Sequence, residues 1–444
     1  MERSFLTVHK LQVLLVGLDR DGEPANMNEL ERLAETDNAV VVGRITQRRE
    51  RPDPAYYIGR GKALEIADLI NGYKNTENYI DAVIFDSDLS PAHQRNLEEI
   101  FNPNKPKSEI EGIKVIDRTE LILDIFATHA RTKQAKLQVE LAQLEYNLPR
   151  LKHLWSHFSR LAGRVMIGRG PGEKQLEIDR RMARNRIVHF KRELRNIQDR
   201  RRQEAASRAE SFTVCLIGYT NAGKSTLMNK LTNTDVLVED KLFSTLDTKT
   251  HVWKLKSGQK ILLSDTVGFI HKLPHHLVAS FYATLEEVST ADLLLHLVDG
   301  SSTEAPRHIE AVHQVLKDLN CADKKIMVLL NKADRADPMD MAILQKQTGG
   351  IAISALRGTG LEVLDAELEK VISEHQREWN FRVPIGNGKA MAYLAARGKI
   401  IKQSVTNKNM RIRVRLGQRD AYKTMAMGAV NTDKTPKQAK KVKP

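Results

Sequence analysis

Residues 212–226 read FTVCLIGYTNAGKST, an apolar β-type run that breaks into Gly218-Tyr219-Thr220-Asn221-Ala222-Gly223-Lys224-Ser225 and passes through Thr226 into a helical pattern. This is G-x-x-x-x-G-K-S between a strand and a helix, the context in which that spacing cradles phosphate. Glycines at 218 and 223 let the backbone wrap closely round a polyphosphate, and amide N–H groups converge at a helix N-terminus. Lys224 reaches the outer phosphates, and the Ser225 hydroxyl is a ligand for Mg²⁺. Residues 211–376 are therefore expected to form an open doubly wound α/β sheet around this loop.

Three further signals follow in the order that a guanine-nucleotide domain needs. Asp265-Thr266-Val267-Gly268 ends the apolar run Ile261-Leu262-Leu263. A carboxylate there holds Mg²⁺ through water, while the Gly268 N–H meets a γ-phosphate and reports its loss. Asn331-Lys332-Ala333-Asp334 closes the strand-like residues 325–330. The Asp334 carboxylate accepts both hydrogens of the guanine N1–H and N2–H₂ edge, which adenine lacks, so GTP is selected over ATP. Ser354-Ala355-Leu356 offers backbone N–H to the guanine O6, and Phe243-Ser244-Thr245-Leu246-Asp247 places the mobile Thr245 to complete the metal shell. Lys224, Thr245 and Gly268 are the expected catalytic residues, and Ser225, Thr245 and Asp265 the expected metal ligands. The residue after Gly268 is Phe269, where many small GTPases place a glutamine that orients water. A phenyl ring forms no such bond, so slow intrinsic turnover is expected.

At 444 residues the chain has room for two or three domains. Its two cysteines, Cys215 and Cys321, each lie in or beside an apolar element, which favours a reduced, cytoplasmic setting. The apolar run 11–18 is too short to span a bilayer and lacks a cleavage site, so it reads as a strand, with no membrane insertion. The net charge of +14 is concentrated: residues 180–202 carry ten Lys and Arg against Glu193 and Asp199. That bias exceeds what solubility asks for and fits a phosphate backbone.

Residues 1–131 read as an N-terminal parallel α/β domain, with β-type runs at 11–16, 40–42 and 82–85. Ser90 and Pro91 mark a capped helix start, and the turn at Gly59 and Gly61 lacks full phosphate-loop spacing. Residues 132–210 hold two heptad seams. The first comprises Leu137, Leu141, Leu144, Leu148, Leu151, Trp155 and Phe158, kinked at Pro149; the second comprises Ala183, Ile187, Phe190, Leu194 and Ile197. They predict an antiparallel helical hairpin whose tip, 160–173, carries Arg160, Arg164 and Arg169 among glycines. With Arg180 and Arg181 these are the expected RNA-contacting residues. Residues 377–430 read as a small α+β domain with a half-exposed strand at 410–416, and residues 431–444 as a disordered basic tail.

The phosphate loop, Asp265-Thr266-Val267-Gly268-Phe269-Ile270, and Arg169-Gly170-Pro171-Gly172-Glu173 followed by Gln175-Leu176-Glu177 and Asp179-Arg180-Arg181 resemble the HflX family of translational GTPases. Val115-Ile116-Asp117-Arg118-Thr119 and Leu137-Gln138-Val139-Glu140-Leu141-Ala142-Gln143-Leu144 are similar to it too. The resemblance implies a GTPase that binds the large ribosomal subunit and its rRNA and separates stalled ribosomes into subunits under stress; a monomer is expected. Its N-terminal domain and hairpin would engage the subunit, with the loop near Gly170 approaching the peptidyl-transferase region. Asn221 stands where cation-dependent GTPases, which this loop resembles, place an asparagine whose side-chain oxygen binds K⁺; the other reading is that it stabilises the loop through hydrogen bonds alone. Other readings are an ATP-driven RNA remodeller working through the N-terminal domain, a regulatory GTPase with a non-ribosomal partner, and a binding protein that uses GTP structurally. His271, His275 and His276 read as switch or surface residues, without a nearby cysteine to suggest a metal cluster.

Overall fold

The structure is a computed structural model that describes residues 10–20, 24–73, 79–103, 112–150, 173–208, 212–234, 242–243, 249–270, 287–406 and 408–433. Its N-terminal layer alternates β1 (Gln12–Asp19), α1 (Met27–Thr36), β2 (Val40–Arg48), α2 (Arg60–Tyr73), β3 (Ala82–Phe85), α3 (Pro91–Phe101), β4 (Lys114–Ile116) and α4 (Arg118–His129). The strands form one parallel sheet in the order β2-β1-β3-β4. Residues 13–18 of β1 and all of β3 are buried, as strands covered by helices on both faces must be. Sequence patterning finds three of these strands; β4, three residues long, is too short to show a period. Helix α3 starts as predicted, with the Ser90 hydroxyl accepting from the His93 N–H at 3.1 Å and Pro91 in the first turn. The Gly59 N–H donates to Gln47 Oε1 at 2.8 Å, so that glycine turn is tied to β2.

Helix α5 (Lys133–Asn147) faces two ways. Ala135, Val139, Ala142 and Tyr146 enter the N-terminal core beside Ile122 and Phe126. Leu137 and Leu141, on the other side, pack on Ile187, Phe190 and Leu194 of α6 (Glu173–Arg208), with Leu144, Leu148 and Ile197 at the margin. The two heptad seams therefore close on each other. At Pro149, where a kink was expected, the regular helix ends at Asn147 and passes into a 3-10 turn (Leu148–Arg150); the rest of the first seam, Leu151, Trp155 and Phe158, lies outside the described residues. Pro149 has no N–H for the helix ladder, and its ring clashes with the preceding turn. Arg150 locks this end: its guanidinium sits 3.6 Å over the Tyr146 ring and donates to the Leu89 carbonyl at 2.6 Å. The hairpin tip, with Arg160, Arg164 and Arg169, lies outside the described residues.

The third layer contains β5 (Thr213–Gly218), α7 (Lys224–Thr232), β6 (Lys249–Lys254), β7 (Lys260–Asp265), β8 (Leu293–Asp299), α8 (Ala305–Asp318), β9 (Ile326–Asn331), α9 (Pro338–Thr348), β10 (Ile351–Ala352) and α10 (Leu361–His375). The sheet order is β10-β9-β8-β5-β7-β6, parallel except where β6 meets β7. Its open end, at the C-termini of β5, β7 and β9, is where such sheets bind ligands.

The C-terminal domain has β11 (Gln376–Pro384), α11 (Gly388–Arg397), β12 (Lys399–Thr406), β13 (Asn409–Gly417), α12 (Gln418–Ala426) and β14 (Val430–Asn431). They form an antiparallel sheet, β12-β13-β11-β14, whose inner face joins Phe381, Val383, Ile412, Val414 and Leu416 to Ala390, Leu394 and Ala421 of the helices. The domain runs past residue 430, where the tail was expected to begin. Asn431 pairs with Phe381, and the Asp433 carboxylate takes the Asn380 backbone N–H at 3.0 Å and its side-chain amide at 2.6 Å. Among the described residues no helix is long and apolar enough to cross a membrane, and both cysteines are free and buried.

Candidate functional site

The phosphate loop leaves β5 at Gly218 and enters α7 at Lys224. Gly223 sits at φ +95°, and Gly218 packs so closely on β8 that a Cβ would strike the Leu297 carbonyl. Asn221 takes the left-handed conformation at φ 60° with its side chain exposed at the crest of the loop. Lys224 is buried and donates to the carbonyls of Gly218 at 3.1 Å and Tyr219 at 2.9 Å. Burial pushes its ammonium down to about 8, with Asp265 pulling the other way. The lysine is thus folded back on its own loop, with nearby backbone holding its hydrogens.

Strand β7 delivers Asp265 to the same place. Ser225 Oγ donates to Asp265 Oδ2 at 3.0 Å, bringing together a hydroxyl and a carboxylate oxygen, hard donors of the kind Mg²⁺ takes. Thr266 is buried and donates to the Leu216 carbonyl at 2.6 Å, which holds the strand end against β5. A Cβ on Gly268 would come within 2.8 Å of Thr220 Cα and 3.0 Å of Lys224 Nζ, so only glycine leaves the lysine its place. The Thr220 side-chain oxygen is buried without a hydrogen-bond partner among the described residues. Phe269 turns its ring into the core with Ile217, Val288 and Leu294, while its backbone pairs with Gly218 and Thr220 at 3.0 and 2.8 Å. The ring therefore faces away from the loop as well as lacking a polar atom.

The base-side motifs are tied to the phosphate loop by one residue. Asn331 Nδ2 donates to the Ala222 carbonyl at 2.8 Å, and its Oδ1 accepts the Ala355 N–H at 2.9 Å. Lys332, at φ 60°, pairs with Asp299 Oδ2 at 2.7 Å, and the Ala333 N–H donates to the Ile353 carbonyl at 3.1 Å. Asp334 accepts from Ser354 Oγ at 2.6 Å, a bond that holds its carboxyl below the ordinary range and keeps it anionic. Leu356 is exposed, and with Thr226, Asn229, Lys230, Asn233 and Ala355 it lines a cavity of about 450 Å³. Residues 244–248 and 271–286, including Ser244, Thr245, Leu246, Asp247, His271, His275 and His276, lie outside the described residues.

The N-terminal layer closes over this site, which local sequence signals did not reveal. Tyr219, inside the phosphate loop, donates its hydroxyl to Glu29 Oε1 of α1 at 2.6 Å and stacks on His308 at 3.9 Å between ring centroids. Glu29 in turn pairs with Arg118 at 3.1 Å, and Arg118 with Asp86 at 2.6 Å, all buried. Burial works against the Arg118 charge, but Glu29 and Asp86 outweigh it and push its pKa up. Phe243 meets Phe126 edge to face at 4.6 Å, and the Leu242 N–H donates to Thr36 Oγ1 at 3.4 Å. Val267 and Ile270 sit in the same apolar cluster as α1 and α4. Where the two domains meet, these paired partners are separated by 117 residues (Phe126 and Phe243) to 206 residues (Thr36 and Leu242), and nothing in either segment alone announces the pairing.

Comparison with known proteins places these layers in order. Residues 24–127 match a family model described as "GTP-binding GTPase N-terminal", 129–208 one described as "GTP-binding GTPase Middle Region", and 213–332 one described as "50S ribosome-binding GTPase". A curated "GTPase HflX" of Magnetococcus marinus is 40% identical over 395 residues, covering 88% of each chain. That of Escherichia coli K12 is 39% identical over 375 residues, covering 83% of this chain and 84% of the relative. A GTP-binding protein of Sulfolobus solfataricus solved with GDP is 25% identical, with a TM-score of 0.42, over 82% of this chain and 99% of that one. Relatives alike at this level along nearly their whole length make the chain a member of the HflX family of GTPases and an enzyme that hydrolyses GTP.

Proposed function

We propose that the chain is a GTP-gated factor of the large ribosomal subunit, which it grips through rRNA and uses to separate stalled ribosomes into subunits under stress. The observation that carries the ribosomal part is the outer face of α6. Arg181, Arg184, Arg192, Arg195 and Arg200 are exposed there and take part in none of the ion pairs among the described residues. The apolar side of the same helix is packed on α5, so the basic face is held outward. A family model described as ribosome-binding and the glycine-rich, arginine-bearing tip sequence point the same way.

In the nucleotide site, the backbone of 218–226 receives the phosphates, Lys224 turns from its own carbonyls to the outer phosphates, and Asp334 with Ala355 receives guanine. Ser225, Asp265 and Thr245 would hold Mg²⁺, which when bound neutralises charge on the β- and γ-phosphates. Gly268 and Thr245 report the γ-phosphate. Their neighbours Val267, Ile270 and Phe243 lie against α1 and α4, so loss of that phosphate is passed to the domain that carries the hairpin. Phe269 supplies no water-orienting group; the remaining help comes from the ribosome ordering the switches and from K⁺ at Asn221.

Replacing Arg169, Arg180 and Arg181 by Ala tests the grip. Co-sedimentation with large subunits should weaken and its salt slope fall by about one unit per lost phosphate contact, with nucleotide affinity unchanged. Unaltered binding and slope would remove the electrostatic argument.

A further inference from the structure

We infer that the solvent face of the C-terminal sheet is a second RNA-binding surface, one that takes the phosphate backbone of duplex RNA. The strand register determines the face. Ile412, Val414 and Leu416 of β13 are buried, so the alternate positions 411, 413 and 415 point outward, and all three are Arg. On one flank Arg382 stands opposite Arg411, and Asn380 opposite Arg413, on β11. On the other flank, on β12, Lys402 stands opposite Arg413, and Ser404 opposite Arg411. The acid on this face is Glu378, which pairs with Arg413 and Arg415 at 3.1 Å each. Arg382, Lys402 and Arg411 enter none of the ion pairs among the described residues.

Like charges set directly across strands destabilise a sheet, so this arrangement has a cost that an anion would relieve. Protection of an exposed edge accounts for Lys402 on the edge strand β12, but not for three arginines on β13, which is interior to the sheet. Across residues 376–433 there are twelve Lys and Arg against three Asp and Glu. Alternate residues of a strand lie about 6.8 Å apart and strands about 4.8 Å apart, so the cations form a patch roughly 14 Å by 10 Å.

The patch offers phosphate contacts and no stacking platform. Trp379, Phe381 and Tyr422 gather with one another, and Trp379 and Phe381 belong to the helix-covered core. Without an outward aromatic residue the face cannot hold unstacked bases, which favours a duplex backbone over single strands. The choice of RNA over other polyanions rests on the ribosomal reading above, but the domain and residues are different ones.

The test is fluorescence anisotropy of labelled duplex RNA with the full chain across a KCl series. R411Q/R413Q/R415Q should weaken binding on the order of tenfold and lower the salt slope by about two to three units, with GTP affinity and melting temperature kept. R382Q/K402Q, on the flanking strands, should lower the slope by about one to two units and serves if the triple variant does not fold. Unchanged affinity and slope in a folded variant would overturn the inference, as would failure of the wild type to bind the duplex. So would variants that keep duplex binding but detach from vesicles of equal parts phosphatidylglycerol and phosphatidylcholine, which would make the face a lipid-binding one. R180A/R181A is run alongside. If it alone weakens duplex binding, the hairpin reading stands and this one falls; the reverse result separates them the other way.

Discussion

At the scale of single residues the candidate site was legible because its chemistry is local. A phosphate loop needs glycines, a lysine and a hydroxyl within eight residues, and the structure brings that segment, Asp265, Asn331 and Ser354 to one end of one sheet. What spacing could not show is how the residues are held, such as Lys224 folded on its own carbonyls or Asn331 linking Ala222 to Ala355. On the proposed reading, Asp334 makes the base choice. Asp334→Asn should lower GTP affinity by about 1.5–3 kcal/mol, the range for hydrogen bonds to a charged group, and favour xanthine nucleotides, whose base presents the complementary pattern. Unchanged GTP affinity in a binding titration would remove the assignment. The proposed cation role falls to Asn221, exposed at the loop crest. Hydrolysis should be faster in K⁺ than in Na⁺ at equal ionic strength, and Asn221→Ala should abolish the difference. Equal rates in the two salts for the wild type would rule K⁺ out.

At the scale of elements, periodicity found the two seams of α5 and α6, because heptads are visible in a line of text. It did not find that α5 also serves the N-terminal core, nor the three-residue β4. Buried polar clusters are invisible to periodicity for the same reason: their members are brought together only by the fold. In the N-terminal domain burial pushes the half-buried Glu98 up to about 7 and Glu120 to about 8. Asp117 adds to the rise at Glu120. The folded state therefore binds more protons than the unfolded one. The associated stability is present below the ordinary carboxylate range and is lost as pH rises through those values. His296, pushed down to about 3 by burial, acts in the opposite sense at lower pH, so the informative quantity is a difference between variants. Glu120→Gln should stay protonation-independent and lose less melting temperature than the wild type between about pH 5 and 8. Parallel melting curves for the two proteins would show that Glu120 is ionised throughout.

At the scale of the whole molecule, the chain order was readable, but the contact between its first and third layers was not. Tyr219 on Glu29, Phe243 on Phe126, and Val267 and Ile270 in the α1/α4 cluster put the phosphate loop and the switch ends directly on the domain that carries the basic hairpin. On the proposed function this buried, hydrogen-bonded contact has two discrete arrangements, through which a change at the γ-phosphate alters how the hairpin is presented. The most direct measurement is co-sedimentation of the full chain with large ribosomal subunits in GDP, in GTP and in a non-hydrolysable GTP analogue, at a fixed salt concentration. The account predicts tight binding with the analogue, weaker binding with GDP, and faster GTP turnover when subunits are added; equal binding in all three nucleotides, with turnover indifferent to subunits, would contradict it.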